Sequence, residues 1–331
     1  MSRELFRTDA ELVLPRRLAC ACRLHSRRLF TGGLLLGAAL PALAQQGSAA
    51  AAADEGLRRD VGKESKFTKL VPADQVEAAA AKQYAQMMQQ ASQQRALAPD
   101  SHPQLQRLRF IAQRLIPHAT PWNDRARQWR WEVNLLGSKD LNAFCMPGGK
   151  IAFFFGILAQ LQLSDHEVAT IMGHEMAHAL REHARERMGK TAATRIGASV
   201  LSSFLGLGGT GDALLNMGGQ LLTLKFSRED ESEADIVGME LAARAGYDPA
   251  AGVTLWQKMM AAAKGAPPQF LSTHPAGETR IKDIEGKLPK VAPVYARAAK
   301  PERQFGAPAK PADKGASNPV GRSRVADPTT A

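Results

Sequence analysis

From Trp129 onward apolar and polar side chains alternate, with Trp129, Trp131, Val133 and Leu135 separated by Arg130, Glu132 and Asn134. A period of two turns every second residue to one face, so the segment predicts a strand with one buried side. Gly137 to Asp140 turns the chain into a second extended segment, Leu141 to Met146, which stops at Pro147-Gly148-Gly149. A third, Ile151 to Phe155, is continuously apolar. The three predict a small antiparallel sheet.

Elsewhere the period lengthens to that of a helix. Pro72 to Arg95 is rich in Ala, Gln and Met, and Ser101 with Pro103 opens a second helix in which Leu105, Leu108, Ala112 and Leu115 recur at helical spacing. Ser164 with Glu167 three residues on forms a capping box, so a helix starts at Asp165 and runs to about Arg187. Two more follow, from Ser227 to Ala245 and from Pro249 to Lys264, the first closed by Gly246. The fold class is therefore α+β, mostly helical. Between these helices Thr191 to Leu222 is apolar and broken at Gly206, Gly208, Gly209 and Gly211. It predicts two short helices around a Gly loop, with core or lid packing as one role and contact with a membrane or extended substrate as the other.

Charge changes the picture less than its total suggests. The chain carries a formal +11, but residues 1–44 and 291–331 contribute +4 each and the middle only +3. No basic face with interleaved aromatics results, which disfavours nucleic-acid binding. Three cysteines, Cys20, Cys22 and Cys145, can build neither a disulfide framework nor a four-thiolate metal site. Arg27-Arg28 before a modest apolar run from Thr31 to Leu43, then Ala42-Leu43-Ala44, resembles a twin-arginine-type signal peptide over residues 1–44. That implies export to the periplasm. Residues 45–72 read as a linker and 291–331, with six prolines, as a disordered tail, leaving a domain over 73–290.

The chemistry sits on the capped helix, in His174-Glu175-Met176-Ala177-His178. An i, i+4 spacing puts both imidazoles on one face within reach of one tetrahedral ion, and the glutamate between them can approach the ion's water. A third protein ligand is needed, and two acidic i, i+4 pairs compete for the role: Glu229 with Glu233, and Glu231 with Asp235. The face of Glu229 and Glu233 continues charged into Glu240, whereas that of Glu231 and Asp235 continues into Gly238, Met239 and Ala242, which suit packing on another helix. Glu231 is therefore the expected ligand. Asp235, one turn on, is placed to fix the tautomer of a ligating histidine.

H-E-x-x-H followed by Ser227-Arg228-x-x-Glu231-x-x-Ala234-Asp235 resembles the zinc metallopeptidases of the gluzincin type that include the CAAX prenyl proteases, the HtpX-like proteases and the BepA-like periplasmic proteases. His183, one turn past the motif, and Leu271-Ser272-Thr273-His274-Pro275 with Arg280 extend the likeness, as does Asn142-Ala143-Phe144 with Pro147-Gly148-Gly149. The resemblance implies a zincin-like fold and one zinc per chain, held by His174, His178 and Glu231, with Glu175 as general base. It also implies His274 and Arg280 as catalytic helpers, His274 either donating to the oxyanion or capping the zinc. Asn142, Ala143 and Phe144 would border the cleft and pair with an extended peptide. The expected function is an exported zinc endopeptidase acting on unfolded or misassembled cell-envelope proteins, with peripheral membrane contact open. A zinc-stabilised, non-catalytic chaperone or assembly factor is the alternative.

Overall fold

The computed structural model describes residues 56–194, 225–263, 269–274 and 278–310, all within one compact unit, Gly47–Ala331. The expected signal segment and nearly all of the Gly-broken stretch lie outside the described residues. Alternation along three short strands builds the sheet: β1 (Glu132–Leu136), β2 (Ala143–Met146) and β3 (Lys150–Phe154). Side chains of Val133, Leu135, Ala143, Cys145, Ile151 and Phe153 join the main core. Leu136, Met146 and Ala152 face the other way, where Ala80, Tyr84 and Ala91 of helix α1 (Ala73–Gln93) pack on them. Tyr84 fastens this layer by donating its hydroxyl to the Ile151 carbonyl at 2.5 Å.

The sheet is mixed rather than wholly antiparallel. The order is β1-β3-β2; β3 pairs antiparallel with β2 and parallel with β1. The Pro147-Gly148-Gly149 turn, with φ of 83° and 77° at the two glycines, folds β3 back on β2. β3, apolar after Lys150, then takes the central position, buried along almost its whole length. Direction from β1 follows from that insertion. Among the described residues β2 therefore has one edge without a strand partner.

Two helices cross the main-core face of the sheet: α2 (Pro103–Leu115) and α4 (Asp165–Leu180), with α3 (Phe155–Gln160) between them in sequence. The start of α4 is heavily fixed. Ser164 and Glu167 form the predicted capping box. Fully buried Arg107 donates to Asp165 Oδ1 at 2.6 Å and to the Leu163 carbonyl at 2.7 Å. α4 ends seven residues before the predicted Arg187, because Glu182 adopts a left-handed backbone with φ 57° and a new helix, α5 (His183–Thr194), starts there.

Helix α6 (Arg228–Arg244) crosses α4 closely, through glycines on both helices. A methyl group on Gly173 would lie 2.7 Å from the Gly238 carbonyl oxygen, and one on Gly238 would lie 2.6 Å from the His174 nitrogen. Helices α7 (Ala251–Ala262), α8 (Gln269–Thr273) and α9 (Glu278–Arg297) complete the described fold. In α9, Ile284, Val291 and Val294 are buried while Pro289 and Pro293 are exposed. The carbonyls left without helical donors thus face solvent, and this helix runs through Pro293 into residues expected to belong to the tail.

Both expected boundaries shift for a physical reason. Of the expected linker, residues 58–60 and 66–70 form 3-10 turns, and Leu57 is fully buried, donating its N–H to Glu240. Glu240, expected on a solvated face, is itself fully buried and paired with Arg58 and Arg244. Past α9 the chain still packs: the Phe305 N–H donates to Asp165 Oδ2 at 2.7 Å, and its ring lies 5.4 Å from that of Phe110.

Substituting Ala for Gly238 must push α6 off α4. The expected loss is about 1–3 kcal/mol of stability, read by denaturant unfolding; an unchanged midpoint contradicts the close crossing. A second prediction concerns Asp60, whose carboxyl is held below its ordinary value chiefly by the hydrogen bond from Lys287, against a burial penalty and with help from Lys290. A lowered folded value contributes stability above the unfolded carboxylate range, and that contribution disappears as pH falls through the folded value. Asp60→Asn is expected to be less stable than wild type by under about 1 kcal/mol near neutrality. The two should converge in acid, and a gap that persists to low pH refutes the assignment.

Candidate active site

The crossing of α4 over α6 brings the separate sequence signals to one point. His174 Nε2 and His178 Nε2 stand 3.1 Å apart. Glu231 reaches them from α6, with Oε2 3.6 Å from His174 Nε2 and Oε1 3.5 Å from His178 Nε2. His274, just after α8, places Nδ1 2.9 Å from Glu231 Oε1 and 3.3 Å from His174 Nε2. All four residues are buried, and one ligand atom from each lies within 4.8 Å of the others.

The donor set fits zinc. Bonds of about 2.0–2.2 Å in a tetrahedron put neighbouring ligand atoms about 3.3–3.6 Å apart, which matches the 3.6 and 3.5 Å between the imidazole nitrogens and the carboxylate. Two buried carboxylate oxygens aim into the site without a well-directed hydrogen bond, Glu175 Oε1 and Glu231 Oε2. Arg280 Nη1 is 2.6 Å from the latter as an ion pair. Unsatisfied buried acceptors are costly unless a cation or donor meets them. With His274 included the protein offers four donors; without it, three and an open position.

Around these atoms the electrostatics are strongly biased. Burial is the main force raising Glu175, with Glu231 adding to it and His274 and His174 opposing. Burial also holds His178 far below the usual imidazole range, reinforced by the neighbouring imidazoles. For His274 burial acts downward, but the facing carboxylates Glu175 and Glu231 outweigh it and raise the group. Asp235 is buried, which acts upward, yet Arg280 and His174 bring it down to about 2. It remains a carboxylate throughout the neutral range and accepts from His174 Nδ1 at 3.0 Å.

Arg280 is committed rather than free: it donates to Asp235 Oδ2 at 2.6 Å, pairs with Glu231, and stacks 3.6 Å over the Trp256 ring. The expected oxyanion role thus meets a guanidinium already gripping the two α6 carboxylates. Asn142, Ala143 and Phe144 line a cleft with Glu175, His178 and His274, so the free edge of β2 borders the site. Cys145 lines it too, its thiol raised well above the ordinary range by burial and by Glu175.

Sequence reasoning missed Phe226 and Phe270. Phe226 stacks on His178 at 3.9 Å and 25°, and Phe270 on His274 at 4.5 Å and 28°. Phe226 directly precedes the Ser227 cap, but with Glu231 at the fourth helical position no hydrophobic-staple pattern marked it; Phe270 gave no signal either. His102 and His166 lie outside this cluster and accept backbone N–H bonds from Gln104 and Asp248.

An H-E-x-x-H helix, a carboxylate from a second helix and a bordering edge strand define a zincin-like metallopeptidase site. The chain belongs to Peptidase family M48, whose model matches residues 104–288. It is similar to the mitochondrial metalloendopeptidase OMA1 of Arabidopsis thaliana, 41% identical over 152 residues, covering 46% of this chain and 30% of that protein. The Schizosaccharomyces pombe protein of the same name is 38% identical over 164 residues, covering 49% of this chain and 48% of its own. The beta-barrel assembly-enhancing protease of Escherichia coli is 25% identical over 206 residues, covering 59% and 41%. The chain thus spans less than half the length of each of these three.

Two expectations change with these matches. The likeness to CAAX and HtpX-like proteases is carried only at the level of the shared family. The periplasmic address is overturned, since the relatives at 41% and 38% identity are mitochondrial enzymes by name. Among the described residues no helix is long and apolar enough to cross a membrane.

Removing the Glu231 carboxylate tests the donor set. Glu231→Ala is expected to lower bound zinc far below one equivalent by elemental analysis. Glu229→Ala, on the exposed side of α6, should leave zinc unchanged; equal zinc in both variants contradicts the assignment.

Proposed function

We propose that the chain is a zinc endopeptidase whose substrates are unfolded or misassembled polypeptides, cell-envelope proteins among them. The observation that carries the reading is the free edge of β2 beside Glu175 and the metal-ligating set. An extended peptide can add to that edge through main-chain hydrogen bonds, which gives affinity with little demand on sequence. Folded proteins rarely offer such a strand. The name of the beta-barrel assembly-enhancing protease supports envelope proteins as one substrate group.

In this reading His174, His178 and Glu231 hold zinc, which supplies the positive charge that acidifies water and polarises a carbonyl. Catalysis needs an open position beside three protein ligands, so in this reading His274 would stand outside the ligand set. Glu175, raised by burial and free of hydrogen bonds at Oε1, takes a proton from the attacking water and returns it to the leaving amine. His274 Nε2, 3.5 Å from Glu175 Oε1, is the nearby side chain that can donate to the developing negative oxygen. Asp235 and Arg280 keep His174 and Glu231 aligned.

Glu175→Gln preserves shape and ligands while removing the base. Cleavage of unfolded casein is expected to fall by roughly 10²–10⁴-fold with zinc content unchanged, and a chelator should abolish cleavage by the wild type. Undiminished proteolysis in the Gln variant refutes the reading. Client binding by both forms without any cleavage would favour a chaperone.

A further inference from the structure

His183 follows His178 by five residues, and on an unbroken helix it would point about 140° away from it. The chain instead ends α4 at Leu180 and passes through Glu182 in the left-handed region, φ 57°. A non-glycine residue held there is in a backbone region that L side chains rarely adopt. What the break achieves is visible at once: His183, almost completely buried, sets its Nδ1 2.9 Å from His178 Nδ1.

Two ring nitrogens that close require one proton between them. His178 turns Nε2 toward His174 and Glu231, so as a ligand through Nε2 it carries its proton on Nδ1 and donates to His183 Nδ1. His183 then holds its own proton on Nε2, 3.4 Å from Glu233 Oε2. Glu233 accepts in turn from Arg181 Nε at 3.0 Å. Behind His174 stands a shorter version of the same order, Asp235 backed by Arg280. Phe226 stacks on the His178 ring and fixes its plane, but an apolar face cannot choose which nitrogen points at the metal.

We propose that His183 and Glu233 are positioning residues that orient His178 and set its tautomer for zinc. The inference rests on the zinc-site reading above and adds residues beyond the ligand set and Asp235. Helix α6 thereby supplies a ligand, Glu231, and a carboxylate behind each imidazole, Asp235 for His174 and Glu233 for His178.

The test uses the full chain, stripped of metal and titrated with cobalt, with zinc affinity read by competition against a chromophoric chelator. His183→Ala is expected to weaken zinc by roughly 10–100-fold and to shift the visible bands of bound cobalt. His183→Asn, whose side-chain carbonyl can accept from His178 Nδ1, should recover most of the affinity. Glu233→Gln, on a different helix and partly exposed, should weaken zinc and shift the bands in the same sense, and it carries the test if His183→Ala fails to fold. Wild-type affinity and cobalt bands in Glu233→Gln and His183→Ala overturn the proposal. So does equal loss in the Ala and Asn variants with unshifted bands, which marks packing. These readouts need no proteolysis, so they stand apart from the Glu175→Gln result that decides the peptidase reading.

Discussion

Backbone contact between two helices is the constraint on which this structure depends. Gly173 and Gly238 meet where a single methyl group on either would strike the other helix. Glu231, Asp235 and Gly238 share one face of α6, so the helix that touches at Gly238 necessarily delivers both carboxylates along the line of His174 and His178. A wider crossing would leave those carboxylates reaching across a gap, and the buried imidazoles would face one another without an anion between them. Small side chains at the crossing therefore act on the chemistry directly, by setting the distance from which Glu231 approaches.

Such a cluster is expensive to bury, and the fold compensates by pairing charges in sequence. Arg280 neutralises Asp235 and Glu231 together, Arg181 neutralises Glu233, and each carboxylate behind an imidazole keeps a negative charge in the neutral range. Deleting one member of such a network leaves an uncompensated charge and costs about 3–5 kcal/mol. Helix α4 cannot shift to relieve the strain, because Arg107, Asp165 and the Ser164 cap hold its first turn. Rigid ends and a tight crossing together produce preorganised ligand atoms.

Much of this was legible in the residues. The Ser164 capping box placed the start of α4, because its signal is local and chemical; the box at Ser227 and Asp230 that starts α6 emerged only from the structure. Period-two alternation located β1, though it starts three residues later than expected, and a turn signal and an apolar run located β2 and β3. The choice of Glu231 over Glu229 followed from the small residues beyond it, and the structure brings Glu231 to the imidazole pair. Sheet direction was not legible, since antiparallel and parallel neighbours of a short apolar strand carry the same pattern. The break at Glu182 carried no glycine to announce it; beyond it His183 bonds His178 and Arg185 bonds the Val71 and Thr68 carbonyls, contacts distant in sequence or invisible to periodicity. Nor could the buried role of Glu240 be read, for it depends on Leu57 and Arg58, far away in the chain. In α9 the stretch past Lys290, expected in the tail, proved helical, and its Pro293 is tolerated because it faces solvent.

Anomalous diffraction at the zinc edge, on crystals of the full chain purified without added metal, tests the central claim most directly. A single strong peak bonded to His174 Nε2, His178 Nε2 and a Glu231 carboxylate oxygen is the predicted result. A peak elsewhere, or one at the imidazole pair with the residue 231 carboxylate turned away, would contradict it.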